Sequence, residues 1–88
     1  MKITKKDVQG VFKRFLKALG GRLAVNYKDQ GAFDLEYNTE YGGWLVEEIT
    51  GDMGAIDHPF LNVRLTTKEM YWALLMASRA LEYKEKGR

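Results

Sequence analysis

Four kinds of side chain in this 88-residue sequence could take part in chemistry: carboxylates, lysines, a lone histidine and a group of aromatic residues. Catalysis would need a carboxylate pair beside a substrate pocket, or a nucleophile next to a base. The sequence contains no such motif, since Ser78 and the threonines have no base at a recognisable spacing. We therefore predict that the protein is not an enzyme, and we assign it no catalytic residue and no cofactor.

His58 is the single histidine, and the sequence has no cysteine. Structural zinc sites use four Cys or His ligands, so one histidine among scattered acids is too small a set. We predict no metal site and interpret His58, within Asp57-His58-Pro59, as a turn residue.

Aromatic and methionine side chains recur along the second predicted helix. At about 100° per residue, they fall on the side opposite the expected core stripe. Aromatic residues, Met and Arg are enriched at the centres of protein interfaces, so we predict a surface for a protein partner or a second copy. The alternative is that the first helix or the loop 51–59 covers it. The core stripe consists of Met70, Leu74, Ala77 and Leu81, and the predicted interface consists of Trp72, Met76, Arg79 and Tyr83.

Charges are sorted into blocks along the chain. Residues 1–28 carry eight Lys or Arg and one acid, and residues 29–60 carry eight acids and no Lys or Arg. Residues 61–88 carry six bases and three acids, so the net charge of +2 hides a dipolar molecule. The electric field of a dipolar molecule steers charged partners and affects solubility, but it does not identify the partner.

Two charged surfaces follow from these blocks. The bases of the first helix point away from its apolar side, either as a solvated surface or as a contact for nucleic-acid phosphates. The acids of the strands form an outer face, which either aids solubility or meets a basic partner. Binding another protein is our main hypothesis, and nucleic-acid binding is the alternative. The basic surface consists of Lys6, Lys13, Arg14 and Lys17, and the acidic surface of Asp34, Glu36, Glu47 and Glu48.

Local patterns predict the helices that position these residues. The first helix begins at Thr4, whose spacing to Asp7 is that of a capping box, and ends at Gly20. Apolar residues recur on one side of it. A second capping box, Thr66-x-x-Glu69, begins a helix that runs to about Lys86.

Strands are predicted between the helices. Residues 23–27 and 33–37 alternate between apolar and polar types, and residues 44–49 form a third strand. Residues 51–59 are predicted as a loop, and residues 60–65 as a short edge strand. The prediction is one α+β domain over residues 1–88, of order α-β-β-β-α. Its three-stranded antiparallel meander carries both helices on one face, because so small a sheet needs helix cover.

The N-terminal residues lack the apolar region of a signal peptide, and no apolar stretch is long enough to cross a membrane, so we predict neither feature. The absence of cysteine fits a reducing compartment. We therefore expect a cytoplasmic protein with no membrane partner.

Two resemblances add to these expectations. The element order resembles that of double-stranded RNA-binding domains, whose lysine cluster at the start of the second helix is matched here by Lys68. The motifs Tyr41-Gly42-Gly43-Trp44, His58-Pro59-Phe60 and Lys68-Glu69-Met70-Tyr71 resemble small proteins of phages and prophages, over about half the chain. Most of those proteins have no assigned activity. The resemblance implies a phage accessory role, a class that includes inhibitors of host defence.

Overall fold

A computed structural model describes residues 2–26, 28–51, 55–58 and 63–86. Its elements are α1 (Lys5–Leu19), β1 (Phe33–Asn38), β2 (Gly43–Ile49), β3 (Ile56–Asp57) and α2 (Thr67–Lys86), with a 3₁₀ turn at Thr39–Tyr41. The strands form one antiparallel sheet of order β1-β2-β3. The predicted α+β class and the order α-β-β-β-α are confirmed.

Both ends of α1 form as the local sequence predicts. The Thr4 hydroxyl accepts a hydrogen bond from the Asp7 N–H at 3.3 Å, and the Asp7 carboxylate accepts one from the Thr4 N–H at 2.9 Å. Gly20 ends the helix with φ of 82°, a left-handed conformation that glycine adopts at little cost. The buried side of α1 consists of Val8, Val11, Phe12, Phe15 and Leu16.

The hairpin β1–β2 forms most of the sheet, with β2 as the central strand. Its register pairs Leu35 with Val46 and Tyr37 with Trp44, whose ring centroids lie 4.7 Å apart. The turn between the strands is closed by Asn38, whose side chain accepts a hydrogen bond from the Glu40 N–H at 2.9 Å. A Cβ at Gly43 would lie 2.2 Å from the Leu65 carbonyl oxygen, so only glycine fits there.

The predicted strand 23–27 is wrong. Leu23 forms one isolated parallel bridge to Phe33, and the Val25 side chain is 86% exposed. The Asp29 carboxylate accepts a hydrogen bond from the Val25 N–H at 3.0 Å and pairs with the Arg22 guanidinium. These contacts hold the pKa of Asp29 below its ordinary value, the Val25 hydrogen bond having the larger effect. They also use backbone and side-chain groups locally, so the segment folds as a loop. Tyr27 lies outside the described residues.

The third strand arises elsewhere. Strand β3 lies within the stretch 51–59 that was predicted as a loop, and it pairs Ile56 with Ile49 and Asp57 with Glu48. The predicted edge strand 60–65 is described only from residue 63 onward. Its Leu65 exchanges two backbone hydrogen bonds with Trp44, of 2.7 and 2.9 Å, as an isolated antiparallel bridge.

Both helices pack on the face of the sheet that carries Phe33, Trp44 and Val46, as predicted. The capping box of α2 forms, with the Thr66 N–H donating to the Glu69 carboxylate at 2.9 Å. Met70 and Leu74 are buried, and Ala77 and Leu81 are partly buried against the same core, so the predicted stripe is confirmed. In the described part of the chain, no helix is both long and apolar enough to span a membrane.

Candidate interaction surfaces

The α2 outer surface comprises Trp72, Met76, Arg79 and Tyr83. These positions lie within about 60° of one another around the helix, on the side away from the buried Met70 and Leu74. Trp72 is 46% exposed, Met76 62% and Tyr83 78%, and Arg79 is also exposed. The alternative expectation was that α1 or the loop 51–59 covers these residues. Neither α1 nor the described part of that stretch buries them. The Trp72 indole packs edge-to-face on Tyr71, with ring centroids 5.3 Å apart.

A groove lies on the neighbouring side of α2. It has a volume of about 600 Å³ and runs between the end of α1 and the second half of α2. Its lining is mostly apolar and includes Leu19, Phe33, Ala80 and Leu81. Ala80 lies about 60° around the helix from Tyr83. The groove and the α2 outer surface therefore adjoin one another.

The sheet separates the four predicted acidic residues. Asp34 lies directly opposite Glu47 in the β1–β2 register, and Glu36 shares their side of the sheet. Glu48 pairs with Phe33, so it lies on the helix-bearing side and is not part of the acidic surface. Adjacent residues in a strand point to opposite faces, so only one of Glu47 and Glu48 could belong to it.

The acidic surface is only partly solvated. Glu47 is half-buried, and Leu45 and Ile49 on the same side of β2 are buried. Burial, with the nearby charges of Glu36 and Asp34, raises the pKa of Glu47. The acids on this side therefore interact unfavourably with one another when all are ionised.

Arg64 is a member of this surface that the sequence analysis missed. Its Nη2 lies 2.6 Å from Glu36 Oε1, and its Nη1 donates to the Gly43 carbonyl oxygen at 2.9 Å. Arg64 and His58 both lower the pKa of Glu47, although less than burial and the neighbouring acids raise it. One signal was available: Arg64 is the first base after the stretch 29–60, which contains no Lys or Arg.

The predicted basic surface loses one member. Lys6, Lys13 and Lys17 are exposed on the side of α1 away from the core. Arg14 instead turns toward α2 and makes a two-point contact with Glu82, with distances of 2.9 and 2.7 Å. It lies about 60° from Lys17 around the helix, which brings it beside α2 rather than on the outward side. Arg14 is therefore a link between the helices, and three lysines remain.

The motifs at residues 41–44, 58–60 and 68–71 contribute mainly to the fold. Trp44 is buried, and its indole N–H donates to the Thr67 hydroxyl at 2.9 Å. Glu69 caps α2, and Met70 lies in the core. His58 directly follows β3, and its N–H donates to the Asp57 carboxylate at 2.8 Å. Pro59 and Phe60 lie outside the described residues.

Metal ligands do not cluster: over the described ranges, no group of three or more His, Asp or Glu could hold an ion. The surfaces identified above are suited to binding macromolecules by apolar contact and by charge. Comparisons with protein-family models, with curated proteins and with solved structures find no match to this chain.

Proposed function

We propose that this protein functions by binding another protein through the α2 outer surface. The observation that carries the proposal is the exposure of Trp72, Met76 and Tyr83 along one side of a helix whose other side is already packed. Clustered aromatic and Met side chains of this kind are typical of interface centres, where their burial supplies most of the binding energy.

The surroundings of these residues support the proposal. The edge-to-face contact with Tyr71 limits the freedom of the Trp72 ring, so less entropy is lost when a partner covers it. Arg79 adds a cation beside the rings, a residue type that interface centres favour. The adjoining groove could receive an apolar side chain of the partner between Leu19 and Leu81.

Paired variants test the proposal. The intact chain, the double variant Trp72→Ala/Tyr83→Ala and the control Val25→Ala would be used as baits in the same cell extract. Val25 is a matched control because it is a highly exposed apolar residue that is not part of α2. We expect the double variant to fold and to lose a partner that the other two retain. Truncating an aromatic residue at the centre of an interface weakens binding by about 2 kcal/mol or more.

Self-association is measured in parallel by light scattering over a range of concentrations. A dimer that the double variant abolishes would identify the partner as a second copy. The proposal fails if all three baits retain the same proteins and all remain monomeric. It also fails if Trp72→Ala and Tyr83→Ala, made singly, each unfold the chain, because these residues would then belong to the core.

Nucleic-acid binding is the second candidate, supported by the three exposed lysines of α1. A contact limited to phosphates should weaken steeply with salt. Gel-shift assays with duplex RNA and DNA at two salt concentrations would compare the intact chain with Lys13→Glu/Lys17→Glu. The control, Arg79→Glu/Lys84→Glu, changes the charge equally at two exposed positions of α2. The candidate is rejected if the intact chain binds neither duplex at low salt.

The biological setting that we propose is an accessory role in a phage or prophage, including modulation of host defence. It is supported by the resemblance of the motifs at residues 41–44, 58–60 and 68–71. The genes that flank the coding sequence provide the test. Phage genes or a defence locus would support this setting, and an unrelated metabolic operon would count against it.

A further inference from the structure

The outer edge of β1 carries backbone groups that no strand of the described residues pairs with. Phe33 donates its N–H to the Arg22 carbonyl oxygen and accepts from the Ala24 N–H, both at 2.8 Å, so its backbone groups point away from β2. In an antiparallel pair, alternate residues of a strand direct these groups to opposite edges. The N–H and C=O groups of Leu35 and Tyr37 therefore also point away from β2.

These four groups have no hydrogen-bond partner among the described residues. Residues 22–24 reach only as far as Phe33, where the single bridge to Leu23 forms. An exposed strand edge of this kind is a template for pairing with another chain. The side chains that flank this edge determine which kind of strand could pair with it.

The two sides of the edge differ. On the outer face of the sheet, Asp34 and Glu36 flank Leu35, and Glu47 lies opposite Asp34. Arg64 pairs with Glu36, so these three acids and one base leave a net negative charge beside the edge. On the helix-bearing side, a groove of about 300 Å³ separates α1 from β1. Gln9, Phe12, Lys13, Leu23 and Leu35 line this groove together with Asp34. An added strand would place alternate side chains on these two sides.

A second copy of this chain is a poor occupant. Pairing two β1 strands in antiparallel fashion keeps their outer faces on one side, and a register centred on Leu35 places Asp34 of one copy opposite Glu36 of the other. Like charges directly opposite each other destabilise a sheet. Charge on an edge strand is a common protection against self-pairing.

We propose that the β1 edge binds an extended segment of another protein in which Lys or Arg alternates with apolar residues. One cation lies opposite Asp34 and the next lies beside Glu36, which already pairs with Arg64. The apolar side chains enter the groove beside Phe12 and Leu35. The Leu35 and Tyr37 backbone groups provide the hydrogen bonds. This site is separate from the α2 outer surface, so neither proposal depends on the other.

Solvent-exchange NMR on the ¹⁵N-labelled full chain tests the proposal. The probe is a capped peptide of three Lys-Val repeats, and the matched control is the same peptide with Glu in place of Lys. At saturating Lys-Val peptide, we expect the amide protons of Leu35 and Tyr37 to exchange at least about tenfold more slowly. The amides of Asp34 and Glu36 already pair with β2 and should change little.

Two variants test the charge requirement. Asp34→Lys should weaken binding of the Lys-Val peptide by about fivefold, because it replaces an attractive pair with a repulsive one. Glu40→Lys makes the same charge change in the 3₁₀ turn and should leave binding unchanged. Circular dichroism checks that both variants fold, and Trp72→Ala/Tyr83→Ala should bind the peptide normally.

Several results would overturn the proposal. One is the absence of selective protection at Leu35 and Tyr37, and another is equal binding of the Glu-Val peptide. A third is protection of these amides that rises with protein concentration in the absence of peptide. That result would identify a second copy of the chain as the occupant.

Discussion

Glu47 lies opposite Asp34 on the outer face of the sheet, where burial and two neighbouring acids raise its pKa. When Glu47 is protonated in both the folded and the unfolded state, below about pH 4, its repulsion with the neighbouring acids is absent. As the pH rises through the raised pKa, the folded chain must ionise a group in an unfavourable place, whereas the unfolded chain ionises it freely. Stability from this group is therefore lost on going from acid to neutral pH.

Replacing Glu47 with Gln should remove that loss. We expect Glu47→Gln to stabilise the fold by about 0.2–1 kcal/mol at pH 7, the size of a single cross-strand pair interaction, and by much less at pH 4. Urea unfolding at the two pH values measures the difference. Glu40→Gln, in the exposed turn, is the control and should show little effect at either pH. A variant that is less stable than the parent at pH 7 would contradict this account.

At the level of single residues, the sequence correctly predicted which side of each helix faces away from the core. The exposed positions of Lys13, Lys17 and Trp72 follow from helical periodicity alone. The contacts of Arg14 and Arg64 could not be predicted in this way. Each depends on a partner far along the chain, Glu82 and Glu36 respectively, and periodicity does not locate the neighbouring element.

At the level of elements, the helices were predictable and the strands only partly so. The capping boxes at Thr4 and Thr66 act within one turn, so their sequence signals are local. The alternation of residues 23–27 suits a strand equally well, but a strand also needs a partner. There Asp29 bonds locally to Val25 instead, and the sheet gains its third strand at 56–57 from residues with little alternation.

Gly10 lies in the middle of α1, and a Cβ at this position would meet no atom within 4 Å. Glycine in a helix interior costs about 0.5–1 kcal/mol relative to alanine, so Gly10→Ala should stabilise the protein by that amount. For a domain of this size, 1 kcal/mol corresponds to a rise in Tm of about 4–8 °C. Thermal unfolding followed by circular dichroism measures it.

Gly20→Ala provides the opposite test. It makes the same chemical change at the end of the same helix, where φ is 82°. Alanine in this left-handed conformation costs about 1–2 kcal/mol, so Tm should fall. If the two variants changed Tm in the same direction, the assigned end of α1 would be wrong.

At the level of the whole molecule, the basic and acidic blocks of the sequence lie on different sides of the folded protein. The exposed lysines of α1 lie on the outside of the helix layer, and Asp34, Glu36 and Glu47 lie on the far side of the sheet. Since both helices occupy one face of the sheet, the two groups of charge lie on opposite sides of it, and they approach each other at the groove that Lys13 and Asp34 both line. Arg64 offsets part of the negative side through its pair with Glu36.

This arrangement predicts that a protein with a net charge of only +2 is retained at pH 7 and low salt by both cation and anion exchangers. Lys13→Glu/Lys17→Glu should shorten retention on the cation exchanger. Asp34→Asn/Glu47→Gln should shorten it on the anion exchanger, and about 0.15 M salt should weaken both interactions. Retention on the cation exchanger alone, unchanged by the acid substitutions, would show that the negative side is not accessible.

The two tryptophans have contrasting surroundings. Trp44 is 2% exposed and bonded to Thr67, whereas nearly half of the Trp72 side chain is in contact with water. Their intrinsic fluorescence should therefore separate into a short-wavelength component from the interior and a long-wavelength component that iodide quenches. Unfolding would alter the first emission, and occupation of the α2 outer surface would shield the second. The chain thus has two native fluorescent probes, one that reports folding and one that reports binding at the α2 outer surface.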